Sequence, residues 1–192
     1  MKVIFTGTQG TGKTSVLKYF EEDGENVITE VVRRLNSEQG LPINENGTHK
    51  SQEIIFNEYK KLLSTNDPYV SDRGLVDVIA YTMWISNHDP DNIKLSLLLA
   101  TQMYELVEFN RKHSDVIWVY FPIQFPVTDD GVRSVDEEFR KKIDENIRAL
   151  LKFTKIKYVE VPYKNRDRQI PLSDIERYYY IKTYLDEMSL KN

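Results

Sequence analysis

Residues 7–14 read GTQGTGKT and meet the spacing G-x-x-x-x-G-K-[ST] at every fixed position. This stretch constrains the fold more than any other, because the spacing needs a strand in front of it and a helix opening at its lysine. Both flanks are present. KVIFT, residues 2–6, is a β-rich run with an apolar centre, as suits a strand buried in a parallel sheet. SVLKYFEE then continues with helical spacing and stops at Asp23-Gly24. Glycines let the loop's backbone N–H groups turn inward with no Cβ in the way, and the helix N-terminus adds about half a positive charge. Such a loop cradles phosphates. Gly7, Thr8, Gln9, Gly10, Thr11, Gly12, Lys13, Thr14 and Ser15 are its expected nucleotide-contacting residues. Among them Lys13 is placed for the β- and γ-phosphates and the Thr14 hydroxyl for Mg²⁺.

The rest of the chain alternates short apolar runs with longer amphipathic ones. Strands are expected at residues 26–30, 68–72, 115–122 and 157–162. Between them lie helical segments such as SQEIIFNEYKKLLS, LVDVIAYTMWIS and VDEEFRKKIDENIRALLKF, and SDIERYYYIKTYLDEM closes the chain with Ser173 or Asp174 as its expected N-cap. GLPINENGTH, residues 40–49, reads as a loop. Five apolar strands separated by helices predict an α/β fold, a parallel sheet covered on both faces, with ligands gathering at the carboxyl ends of the strands. A length of 192 residues suits one domain, 1–192.

Composition narrows the partners. With a net charge of -4 the chain lacks the overall basic character of proteins that live on bulk nucleic acid, so DNA is left open but not favoured. There is no cysteine, which excludes disulfides and thiolate metal sites. A first strand starting at Lys2 leaves no room for a signal peptide, and no run of 18 apolar residues predicts a membrane span, so a cytoplasmic location is expected. The exposed helices leave a homodimer open, with no diagnostic apolar stripe.

Charged residues at the predicted strand ends are the next candidates. Asp72 follows PYVS and is the expected Mg²⁺-associated acid; the bland alternative is a cap on the following helix. Glu30 follows NVIT and is a candidate base for an attacking hydroxyl; its alternative is an ion pair with Arg33 or Arg34, since Arg33 returns to the same face one helical turn on. Arg73 is placed to touch an acceptor or the transferring phosphoryl group. A lid is expected over residues 123–142, with Arg133, Arg140, Lys141 and Lys142 beside a Gly131 hinge. Phosphoryl transfer needs positive charge on the γ-phosphate and exclusion of water, and an arginine so placed is worth roughly 10³–10⁵ in rate. NRDRQ, residues 165–169, offers Arg166 or Arg168 to pack on a nucleotide base. Tyr178 to Tyr180 read as packing rather than as a stacking platform.

Taken in order, GTQGTGKT, ITEVVRR, VSDRGLVDVIAY and DDGVRS resemble the NadR-type P-loop (AAA-like) kinase group, and are less closely similar to deoxynucleoside and thymidylate kinases. The resemblance implies a three-layer α/β/α P-loop kinase with strand order 2-3-1-4-5 and an arginine-bearing lid. It implies ATP and Mg²⁺, and transfer of the γ-phosphoryl group to a hydroxyl of a nucleoside or nucleotide, in the manner of a nicotinamide riboside kinase or a deoxynucleoside kinase. By position it implies acceptor contacts from Glu30, Arg33, Asp72, Arg73 and Asp77, and a lid role for Arg133. Two other readings stay open: a kinase acting on a modified base or an end of DNA, as phage P-loop kinases do, and an NTP-binding regulator with little turnover.

Overall fold

The computed structural model describes residues 1–126, 136–164 and 170–190. Its strands are β1 (Lys2–Thr6), β2 (Val27–Ile28), β3 (Tyr69–Ser71), β4 (Val116–Tyr120) and β5 (Tyr158–Glu160). Its helices are α1 (Lys13–Glu22), α2 (Val31–Gln39), α3 (His49–Leu63), α4 (Leu75–His88), α5 (Ile93–Lys112), α6 (Glu137–Phe153) and α7 (Asp174–Ser189), with a 3-10 turn at Asn44–Asn46. The strands pair in parallel throughout, in the order β2-β3-β1-β4-β5.

Strand periodicity sorts the side chains into two cores. Val3 and Phe5 of β1 point to one face, where they meet Val16, Leu17 and Phe20 of α1 and Ile181 and Leu185 of α7. Ile4 points to the other face, into a larger core built from α2 to α6. Tyr69 and Val70 of β3, and Trp118 and Val119 of β4, divide in the same way. Both faces being covered, β1 is buried at every position and its centre reads in sequence as an apolar run.

The structure shortens all four strands expected after β1, 26–30 to Val27–Ile28, 68–72 to Tyr69–Ser71, 115–122 to Val116–Tyr120 and 157–162 to Tyr158–Glu160. Residues 26–30 contribute only Val27–Ile28 to the sheet, because β2 is an edge strand and Glu30 turns out of it at φ 55 to open α2. At the opposite edge, β5 buries only Val159 of its three residues. The loop at 40–49 contains the 3-10 turn and ends in the Thr48–Ser51 cap of α3. Ser173, rather than Asp174, caps α7 and is answered by Glu176. Of the tyrosine triplet, Tyr178 packs against Tyr19 and Phe20, while Tyr179 and Tyr180 are exposed. Among the described residues no helix is long and apolar enough to cross a membrane.

Candidate functional site

β1 and β3 are neighbours in the sheet, but the helices that leave them go to opposite faces: α1 to one core, α4 to the other. Their carboxyl ends therefore open a crevice, the position where α/β sheets place ligands. The loop after β1 enters this crevice from one side and Asp72-Arg73, directly after β3, from the other.

The phosphate loop is fixed from beneath. Gly7 has φ 148, and a Cβ there would run into the Phe121 carbonyl oxygen, so only glycine fits. Its N–H donates to Asp77 Oδ1 at 3.1 Å, and the Gly74 N–H donates to Asp77 Oδ2 at 3.0 Å. Asp77 is 0% exposed, so it ties the loop to the start of α4 instead of presenting a free carboxylate. Burial pushes its carboxyl above the ordinary range, against the pull of Arg73, Lys13 and the two N–H donors. The helix-capping role weighed for Asp72 thus falls to Asp77. Lys13 Nζ donates to the Gly7 carbonyl at 2.6 Å and the Thr8 carbonyl at 2.8 Å, arching back over its own loop.

A second anchor was visible in sequence only as a lid cation. Arg140 belongs to the first turn of α6 and is fully buried. Its Nε donates to the Gln9 carbonyl at 2.9 Å, its Nη2 to the Gly10 carbonyl at 3.1 Å, and its Nη1 to Glu137 at 3.1 Å. Arg140 is therefore a backbone clamp on the loop. Gln9 is further held by Tyr81, whose hydroxyl donates to Gln9 Oε1 at 2.7 Å.

On the facing side, the Thr14 hydroxyl donates to Asp72 Oδ2 at 2.6 Å. Asp72 Oδ1 is buried without a hydrogen-bond partner among the described residues. Arg73 has φ 142, and Glu30 φ 55, both in the left-handed region that non-glycine residues avoid. Backbone strain of this kind concentrates at functional sites, where surrounding structure maintains it. Burial opposes the charge on Arg73, but Tyr81, Asp77 and Asp72 outweigh it and keep the guanidinium protonated. Glu30 pairs with Arg33 Nε at 3.1 Å, both side chains remaining about half exposed. Arg34 turns away to Glu58 at 2.7 Å.

Two cavities occupy the crevice. The smaller, about 340 Å³, is lined by Gln9 to Ser15 together with Asp72 and Arg73. The larger, about 830 Å³ with its solvent mouth, is lined by Glu30, Arg33, Asp72, Arg73 and Asp77, and walled by Ile43, Gln52, Ile55, Tyr59 and Tyr81. Gln9, Thr14, Asp72 and Arg73 border both. Burial raises the Tyr59 and Tyr81 phenols, which stay neutral. All five residues expected around an acceptor thus line one cleft. Gly7 and Thr8 are buried beneath the smaller cavity rather than on its lining, and Arg133, Arg166 and Arg168 lie outside the described residues. Sequence reasoning missed Gln52, Tyr59 and Tyr81. Tyr81 carried a signal, standing one helical turn after Asp77 on a helix already placed at the site.

Fold and crevice together define a P-loop protein with the architecture of the nucleoside and nucleotide kinases. The sequence matches the AAA domain family over residues 2–168, and the chain belongs to that family. Among solved structures it is similar to a deoxyadenosine kinase from M. mycoides with the products dCMP and a flexible dCDP bound, at 15% identity and a TM-score of 0.62 over 98% of this chain and 100% of that one. It is similar to the NadR protein in complex with NR, at 14% identity and a TM-score of 0.64, over 97% of this chain and 50% of that one. It thus spans half the length of the NadR chain. It is also similar to a shikimate kinase from Aquifex aeolicus vf5, at 16% identity and a TM-score of 0.54 over the whole of both chains. At these identities the likeness is one of fold. No protein among curated sequences matches the chain significantly.

Proposed function

We propose that this chain is a kinase domain that transfers the γ-phosphoryl group of ATP, with Mg²⁺, to a hydroxyl of a nucleoside or nucleotide. The observation that carries the reading is the junction of the two cavities at Gln9, Thr14, Asp72 and Arg73. A phosphate cradle that opens straight into a second, partly apolar cleft of small-molecule size suits donor and acceptor held face to face. A nucleotide switch needs only the first cavity.

Each residue then has a defined task. The loop N–H groups and Lys13 hold the phosphates. Thr14 and Asp72 are the residues that would hold Mg²⁺, a fit supported by two oxygen donors side by side and by the orphaned Asp72 Oδ1. When bound, the ion neutralises charge on the β- and γ-phosphates. Glu30 accepts the proton of the acceptor hydroxyl as its oxygen bonds to the γ-phosphorus and the bond to the bridging oxygen of ADP breaks. Arg73 offers a fixed positive charge at the junction, and Arg33 keeps Glu30 oriented. Similarity in fold to a deoxyadenosine kinase with dCMP and dCDP bound, and to the NadR protein in complex with NR, supports that acceptor class.

The test is ADP release from ATP and Mg²⁺ across a panel of nucleosides, nucleotides and short DNA. Stimulation by one small nucleoside or nucleotide is the expected result. A response to DNA alone points to a polynucleotide kinase, and tight ATP binding without acceptor-dependent turnover points to a regulator.

A further inference from the structure

Among the described residues two arginines are fully buried, Arg140 and Arg177, and they flank the phosphate loop from opposite sides. Arg140 has all its guanidinium nitrogens hydrogen-bonded. Arg177, in the first turn of α7, has none: Nε, Nη1 and Nη2 are all buried without a hydrogen-bond partner among the described residues. Among the described residues its ion-pair carboxylate, Asp174 Oδ1, stands 3.8 Å away, beyond hydrogen-bonding distance. The Phe125 ring lies 4.4 Å from its Cζ, which satisfies one face of the cation but not the N–H edge. Burial pushes the guanidinium below its ordinary range, against the weaker opposing effect of Asp174 and Tyr163. A guanidinium carries five N–H donors, and burying it unpaired is among the costlier arrangements a fold can hold. It persists where something else completes it.

The direction of Arg177 says what that is. Nη1 lies against Gly12, the N-cap of α1, so closely that a Cβ on Gly12 would stand 2.6 Å from it. Gly12 has φ 86, and α1 has no side-chain cap, so its first N–H groups are available to an anion. Orphaned helix donors, Lys13 and a buried guanidinium therefore converge on one end of one helix.

We propose that Arg177 is a further phosphate-binding residue for the donor nucleotide, reaching the phosphate loop from α7. The proposal rests on the kinase reading above, since it takes the loop to be a nucleotide site. Its ligand class is a polyphosphate, with the guanidinium edge donating to phosphate oxygens in place of the hydrogen bonds it lacks within the protein.

The experiment compares wild type with Arg177→Met and Arg177→Lys, using ADP and inorganic tripolyphosphate as probes in calorimetric titration and thermal unfolding. Without ligand, Arg177→Met is expected to unfold at the wild-type temperature or above it, because it removes an uncompensated buried charge at similar volume. It is expected to bind both probes about 10- to 100-fold more weakly and to gain less thermal stability from them. Arg177→Lys, which keeps the charge but not the fork, is expected to fall between and carries the test if the methionine variant does not fold. Wild-type affinity of the variants for both probes overturns the proposal alone. So does lower unliganded stability with a full ligand-induced gain, which marks a packing role. Weakened ADP binding with unchanged tripolyphosphate binding also overturns it, by moving the contact to the base or sugar. A wild type that binds neither probe overturns it together with the kinase reading.

Discussion

Thr14 and Asp72 meet at 2.6 Å, hydroxyl to carboxylate, across 58 positions of sequence. The contact joins the start of α1 to the end of β3, and both residues line both cavities of the crevice. It also leaves the second Asp72 oxygen buried and unpaired among the described residues. A carboxylate held in that way, beside a hydroxyl and below the phosphate loop, suits a hard divalent cation.

Asp72→Asn keeps the shape of this contact and removes its charge. ATP binding measured without Mg²⁺ is expected to stay close to wild type, while Mg²⁺-dependent turnover falls by about 10²–10³-fold. Titrating Mg²⁺ against initial rate checks it. A variant that saturates with Mg²⁺ as the wild type does contradicts the assignment.

Glu30→Gln removes the proposed base without changing side-chain length. ATP affinity is expected to hold and kcat to fall by about 10²–10⁴-fold, the range of a lost general base. Steady-state kinetics with a responsive acceptor, paired with ATP titration, separates the two effects. Unchanged turnover removes Glu30 from the chemistry and leaves it as the ion-pair partner of Arg33, the bland alternative that the 3.1 Å contact satisfies.

Arg140→Met tests the clamp. The substitution strips hydrogen bonds from the Gln9 and Gly10 carbonyls and leaves Glu137 without this partner. Stability in urea is expected to drop by about 2–5 kcal/mol, with weaker ADP binding as the loop loosens. Denaturant unfolding with and without ADP provides the measurement, and wild-type stability would show that the loop holds its shape without the clamp.

Sheet and phosphate loop were legible because their signals are local. A strand buried on both faces has to be apolar through its centre, and β1 and β4 are. The acids at the strand ends were legible for the same reason, since Asp72 directly follows β3 and topology alone puts it in the crevice. The expected strand at 26–30 overran its end because an edge strand has fewer partners to define it, and nothing in NVITE announces the left-handed turn at Glu30. What stayed hidden is what depends on distant pairs. Asp77 reads only as a cleft residue until its 70-residue reach to Gly7 is seen, and Arg140 reads as one of three basic residues in a charged run until it meets Gln9, 131 positions away. Burial of a single arginine among such neighbours is decided by tertiary packing and leaves no periodic trace.

Label transfer from γ-labelled ATP tests the central claim most directly. With Mg²⁺ and the acceptor panel, followed by chromatography, the account expects label in a phosphorylated nucleoside or nucleotide, dependent on Asp72 and Glu30. Label found only in inorganic phosphate, or only in DNA, would contradict transfer to a small acceptor in this cleft.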